Sequence, residues 1–246
     1  MTYPGGKTLS LEDSNKAPLK GNLCSTCHSG REGKATVDAN IATGKYAFKN
    51  IHYAAAASIK NGADAQVGYE YPGKTYAKAW KHNAGDDCTY CHDPKLSKHT
   101  FQVSDSLSKC TACHSGVTKP SDIRMPSHNK DYDGDGNSTE PLSEEIHTLS
   151  DALLAQILVE AAKGTKICYL GNYPYWAVDD DGDGKCGPTE KSGYKSWTPA
   201  LLKAAFNYQA SLKDHGAWAH NFDYMVQLLI DSIDDLGGSV TKYIRP

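Results

Sequence analysis

Apolar residues are unevenly arranged along this chain, and the arrangement changes near position 125. Beyond that point three stretches repeat them at helical spacing. Ile146, Leu149, Leu153, Ile157 and Ala161 fall on one face of a helix that Ser143 can cap and Gly164 can stop. Thr198 followed by Pro199 reads as N-cap and first helical residue of "PALLKAAFNYQASLK", ending near Gly216. Phe222, Met225, Val226, Leu229, Ile233 and Leu236 line a third helix from about Asn221 to Leu236, ended by Gly237 and Gly238. Such stripes are core by default and assign no function.

Residues 1–125 read differently. Gly, Ser, Lys, Asn and Thr are scattered through them, and apolar periodicity is scarce. "FKNIHYAAAASIK" holds a short helix-like run, and the Tyr-rich "VGYEYPGKTYAKAW" is hairpin-like. So long a stretch with few regular elements argues against an ordinary packed core. The expected organisation is an irregular segment, 1–125, and an α-helical segment, 126–246, packed on it. The fold class is mainly α with little β.

The cysteines account for the irregular segment. Six of the eight fall in three copies of one pattern: Cys24-Ser25-Thr26-Cys27-His28, Cys88-Thr89-Tyr90-Cys91-His92 and Cys110-Thr111-Ala112-Cys113-His114. Two thiols at that spacing can each add to a vinyl group of a haem, and the adjacent histidine then lies under the iron as proximal ligand. Zinc is the alternative. Cys88, Cys91, Cys110 and Cys113 could supply four thiolates, but Cys24 and Cys27 would then lack a partner pair, and zinc needs no histidine after every pair. The expected cofactors are three covalently attached haem c groups. Their porphyrin faces replace the missing apolar core, and the irregular chain wraps them.

Ten histidines are present, three of them proximal. Of the other seven, His52, His82 and His99 lie in the haem-bearing segment and are the expected distal ligands. Only Met1, Met125 and Met225 could ligate through sulfur, so an imidazole on both sides of each iron is expected. His220, in "GAWAHNFDY", is the reserve candidate and His128 comes after it. His147 and His215 read as surface positions.

Haem attachment to this motif takes place outside the cytoplasm, so a periplasmic or extracellular protein is expected. "MTYPGGKTLSLED" has neither a basic n-region nor an apolar h-region, and the chain reads as a mature form whose targeting segment has been removed. Cys168 and Cys186, outside any motif, fit that compartment as a disulfide. The formal charge of −3 suggests no nucleic-acid partner, and no apolar run approaches the roughly 18 residues of a membrane span.

Two acidic loops stand in the second half. "DDDGDGKCGPTE" has the spacing of a calcium loop: Asp179, Asp181, Asp183, Gly184, then Glu190, with the Lys185 carbonyl at the seventh position. Hard oxygens two residues apart wrap the cation, the glycine permits the sharp turn, and the last Glu binds through both oxygens. "DYDGDGNSTEPLSEE" repeats the start with Asp131, Asp133, Asp135 and Asn137, but Leu142 occupies the twelfth position. Glu140, Glu144 or Glu145 would have to close it. One or two structural Ca²⁺ ions are expected.

"CSTCHSG", "FKNIHYAAAA", "VGYEYPGKTYAKAWKHNAGDDCTYCHD" and "CTACHSG", with "YPYW", "WTPALLKAAFNYQ" and "GAWAHNFDYMVQLLIDSIDDLGG", resemble multihaem c-type cytochromes of anaerobic, metal-respiring bacteria. The resemblance covers most of the chain. It implies periplasmic or extracellular electron transfer, and distal roles for His52, His82 and His99. The usual "CHDxH" is stretched here to "CHDPKLSKH", and three haems are few for the family. A weaker resemblance is to cytochromes that polymerise into haem-stacked filaments.

The leading expectation is therefore an electron carrier, with redox proteins or an extracellular acceptor as partners and a homo-oligomer or filament as a further arrangement. The alternative is a haem enzyme with one open iron, such as a small oxyanion or nitrogen-compound reductase. No C-x-x-C-K marks such a site.

Overall fold

The computed structural model describes residues 2–4, 22–52, 54–85, 87–190 and 192–246. Most of the amino-terminal stretch read for a leader lies outside the described residues. In chain order the helices are α1 (Asn22–Cys27), α2 (Lys34–Ala42), α3 (Ala56–Asn61), α4 (Cys88–Cys91), α5 (Leu107–Thr111), α6 (Leu142–Ala161), α7 (Pro199–Lys213), α8 (Ala217–His220) and α9 (Phe222–Asp235). Two short strands, β1 (Ile167–Tyr169) and β2 (Trp176–Val178), pair antiparallel between α6 and α7, with Cys168 opposite Ala177. The fold is mainly α. Among the described residues no helix is long and apolar enough to cross a membrane.

Helices α6, α7 and α9 pack on one another as a layer. Leu149, Leu153 and Ile157 of α6, Phe206 of α7, and Met225 and Leu229 of α9 are fully buried between them. Each such side chain contributes about 1.5–3 kcal/mol relative to exposure. The Thr198 hydroxyl accepts a hydrogen bond from Leu201 N at 3.2 Å with Pro199 in the first turn, as the sequence predicts. Asn221 caps α9 through Tyr224 N. Ser143 does not cap α6: the helix begins one residue earlier, and the Ser143 hydroxyl donates to Ser121 O instead.

The first half divides in two. Between residues 37 and 71, Val37, Ile51, Ile59, Val67, Tyr69 and Tyr71 join the same apolar cluster as the helical layer. The "VGYEYPGKTYAKAW" segment turns at Pro72-Gly73 but forms no hairpin. Its backbone is satisfied by side chains instead. Asn207 accepts from Tyr69 N at 2.7 Å and donates to Tyr69 O at 2.9 Å, Tyr224 accepts from Gly68 N, and Tyr76 accepts from Tyr71 N. With its polar groups already paired, the segment needs no partner strand. Residues 81–130 are unlike the rest. Among those described, only Ser97 and Ser106 are buried, and no apolar side chain is.

Candidate functional site

Each Cys-x-x-Cys-His motif folds onto the same scaffold. The first cysteine lies on a short helix, and the histidine N–H returns to that cysteine's carbonyl: His28 to Cys24 at 2.8 Å, His92 to Cys88 at 2.9 Å and His114 to Cys110 at 2.8 Å. One helical turn thus sets two thiols and an imidazole together. All six thiols are free, and all are half-buried or exposed.

The motifs adjoin one another. Burial raises the pKa of Cys88, and the field of Cys24 raises it further. Burial likewise raises that of Cys91, with Cys110 adding to it. Lys109 in α5 bridges the second and third motifs, donating to Tyr90 O at 3.0 Å and pairing with Asp93. Around them lie exposed apolar side chains: Leu23 beside Cys24, and Leu96 and Phe101 after His92.

Two of the three motif histidines are oriented for a metal. His28 Nδ1 lies 2.8 Å from Ala54 O, and His92 Nδ1 lies 2.8 Å from Phe101 O. A proton held at Nδ1 by a carbonyl leaves Nε2 as the lone-pair atom, the arrangement typical of metal-bound imidazole. These residues fit haem attachment on the donor set and the tautomer alike.

The expected distal histidines are placed unequally. His52 is half-buried in irregular chain ahead of α3, not on a helix, and its N–H donates to Gly30 O, two residues after His28. The His82 ring centre lies 6.5 Å from that of His114, with the planes 47° apart. His82 Nδ1 accepts from Ala84 N at 3.2 Å. His99 is exposed, at a φ of +68°. His128 uses both nitrogens, Nε2 on Asp223 at 2.7 Å and Nδ1 on Ser127 at 3.0 Å. His147 and His215 are exposed.

His220 faces the second motif. Its ring centre lies 6.4 Å from that of His92, with the planes 28° apart. Its Nδ1 lies 2.9 Å from both oxygens of Asp214, a buried residue. Burial opposes protonation of this ring, but the Asp214 carboxylate outweighs it and raises the pKa. Sequence spacing placed His220 in reserve because no local pattern connects it to His92.

The two acidic loops are built alike. In one, Asp179 accepts from Gly182 N and Gly184 N, Asp181 from Asp183 N, and Asp183 from Lys185 N. In the other, Asp131 accepts from Gly134 N and Gly136 N, Asp133 from Asp135 N, and Asp135 from Asn137 N. Gly184 and Gly136 both have positive φ, which the turn requires. Glu190 accepts from Asp180 N; its counterpart is Glu145, which accepts from Tyr132 N.

Carboxylates converge in both loops: Asp179, Asp181 and Glu190 in one, Asp131, Asp133 and Glu145 in the other. Glu140 gathers with Asp133 and Asp135, and Glu144 is exposed. Asp133 is fully buried, yet its Oδ2 has no hydrogen-bond partner among the described residues. Burial raises its pKa to about 6, helped by Glu145, and burial with Asp133 and Asp135 raises that of Glu140 to about 7. Crowded carboxylates and an unpaired buried oxygen are what a hard cation relieves. The expected disulfide, Cys168–Cys186, ties β1 to the Asp179–Glu190 loop.

Comparison with known proteins points the same way as the motifs. The chain is 26% identical over 248 residues to the C-type polyheme cytochrome OmcB of Geobacter sulfurreducens, in two strains, covering 87% of this chain and 30% of that protein. It is 26% identical over 255 residues to the C-type polyheme cytochrome OmcC of the same species, covering 88% of this chain and 30% of that protein. The chain thus spans about 30% of the length of the curated relatives it matches. No family model matches it. No solved structure matches it either.

Proposed function

We propose that this chain is a triheme c-type cytochrome segment that carries single electrons in periplasmic or extracellular respiration, passing them between a redox protein and a further acceptor. The observation that carries the reading is the threefold Cys-x-x-Cys-His turn, with Nδ1 of His28 and His92 held by backbone carbonyls and Nε2 left for iron. Similarity to two polyheme cytochromes supports it. When bound, haem c supplies one-electron redox chemistry at its iron.

The chain's own residues fix where that chemistry happens. Cys24 and Cys27, Cys88 and Cys91, and Cys110 and Cys113 would form the thioether links, and His28, His92 and His114 would be the proximal ligands. Lys109 locks the second and third sites side by side. His52, tied to Gly30, is the distal residue assigned to the first site. His82, facing His114, is assigned to the third; to bind through Nε2 it would carry its proton on Nδ1 and give up the 3.2 Å bond from Ala84. Leu23, Leu96 and Phe101, exposed beside the motifs, would cover apolar surface of the cofactors. Calcium would occupy the two acidic loops in a structural role, with Glu190 and Glu145 closing them. The Cys168–Cys186 disulfide suits an oxidising compartment.

Intact-mass and pyridine haemochrome measurements on protein produced with haem-attachment machinery test the reading. Three covalent haems are expected. None, or retention of zinc by the free thiols, overturns it.

A further inference from the structure

We propose that His220 is the distal ligand of the iron whose proximal ligand is His92, and that Asp214 and Gly216 hold its ring in position. The inference rests on the haem reading of Cys88–His92. It assigns the second site a ligand from the carboxyl-terminal helical layer in place of the nearby His99.

Three independent features of the structure converge on it. The first is separation. An atom bridging two imidazoles through bonds of roughly 2 Å each sets the ring centres about 6 Å apart, and those of His92 and His220 are 6.4 Å apart.

The second is proton placement. Each ring commits Nδ1 to an oxygen, His92 to Phe101 O and His220 to Asp214, so both retain Nε2 as the lone-pair atom. A carboxylate behind a histidine fixes its tautomer and raises its basicity. His128 offers no such atom, because Asp223 and Ser127 occupy both nitrogens. His99 is exposed.

The third is a cradle. A Cβ on Gly216 would lie 2.6 Å from His220 Cε1 and 3.1 Å from Nδ1, so the ring rests on bare backbone and any side chain there would displace it. The next residue, Asn221, donates to Lys60 O and Lys78 O and accepts from Tyr224 N. The short α8 that carries His220 is thereby pinned between the first half and α9. Ring, hydrogen-bond partner and support are all in place around a single open nitrogen.

The test uses the haem-loaded protein and its His220→Gly and His99→Gly variants, compared by EPR and by the reduced spectrum with carbon monoxide. In His220→Gly one haem of three is expected to become high-spin and bind carbon monoxide, and added imidazole to restore it. His99→Gly is expected to keep all haems low-spin. The inference is overturned if His220→Gly remains entirely low-spin, or if His99→Gly produces the same loss.

If His220→Gly fails to accumulate, His220→Met preserves bulk and is expected to give one methionine–iron charge-transfer band; its absence overturns the assignment. Asp214→Asn separates positioning from mere structure: one of three reduction potentials is expected to rise while every iron stays low-spin. Unchanged potentials refute the role of Asp214. Haem content is measured on each sample. Absence of haem at Cys88 and Cys91 in the unaltered protein would fail the function itself, whereas full haem content with a low-spin His220→Gly fails only this ligand.

Discussion

Residues 81–130 and the α6–α7–α9 layer belong to one chain but solve the problem of folding differently. The layer buries Leu149, Leu153, Phe206, Met225 and Leu229 against each other, and its apolar stripes suffice to explain it. The 81–130 segment carries two of the three Cys-x-x-Cys-His motifs and buries no apolar side chain among its described residues. Chain entropy costs about 1–2 kcal/mol per ordered residue, and no buried apolar side chain among the segment's described residues offsets it. A segment can be ordered without a core of its own when a large apolar cofactor is covalently part of it. The contrast also explains why 37–71 behaves otherwise: its tyrosines and aliphatics are absorbed by the helices, and Asn207, Gln209 and Tyr224 satisfy its backbone.

The comparison breaks most visibly if the cofactors are withheld. Replacing Cys88, Cys91, Cys110 and Cys113 with serine is expected to abolish hydrogen-exchange protection across 81–130 while α6, α7 and α9 keep theirs. Persisting protection in 81–130 would show that the segment folds by itself. Next in size, Phe206→Ala should destabilise the helical layer by about 3–5 kcal/mol, read from denaturant unfolding followed by far-UV CD. A loss well below 1 kcal/mol would mean that the layer too depends on the cofactors.

Calcium removal is expected to act between these extremes. Saturation at a hundred times Kd stabilises by about 2.7 kcal/mol per site, so chelation should lower Tm and added Ca²⁺ restore it. Glu190→Gln should abolish the response of the Asp179–Glu190 loop, and Glu145→Gln should weaken the other loop more than Glu140→Gln does. The reverse order would return the closing role to Glu140. The smallest effect belongs to the cap: Thr198→Ala removes the hydroxyl that accepts from Leu201 N and should cost about 1 kcal/mol, again by denaturant unfolding.

Wherever neighbours in sequence decide the outcome, the structure was legible in advance. The α6 stripe, the Thr198–Pro199 start and the spacing of carboxylates in the Asp179–Glu190 loop all depend on separations of eleven residues or fewer within each repeat. Ser143 misleads because a serine just ahead of an apolar helical stripe looks like a cap, while its hydroxyl donates to Ser121 O instead. The 67–80 hairpin was misread because its tyrosines alternate like a strand's, while its backbone partners are side chains far along the chain.

The sequence by itself determined which groups can bind metal, that the carboxyl-terminal half is helical, and that Cys168 and Cys186 are the pair left over. Only the tertiary structure decided which groups meet. His220 reaches His92, and Glu145 rather than Leu142 stands where Glu190 stands in the other loop. The physical reason is the same in both cases. A helix or a turn is set by hydrogen bonds a few residues long, whereas a metal site is set by how the folded chain returns on itself, and spacing records nothing of that return.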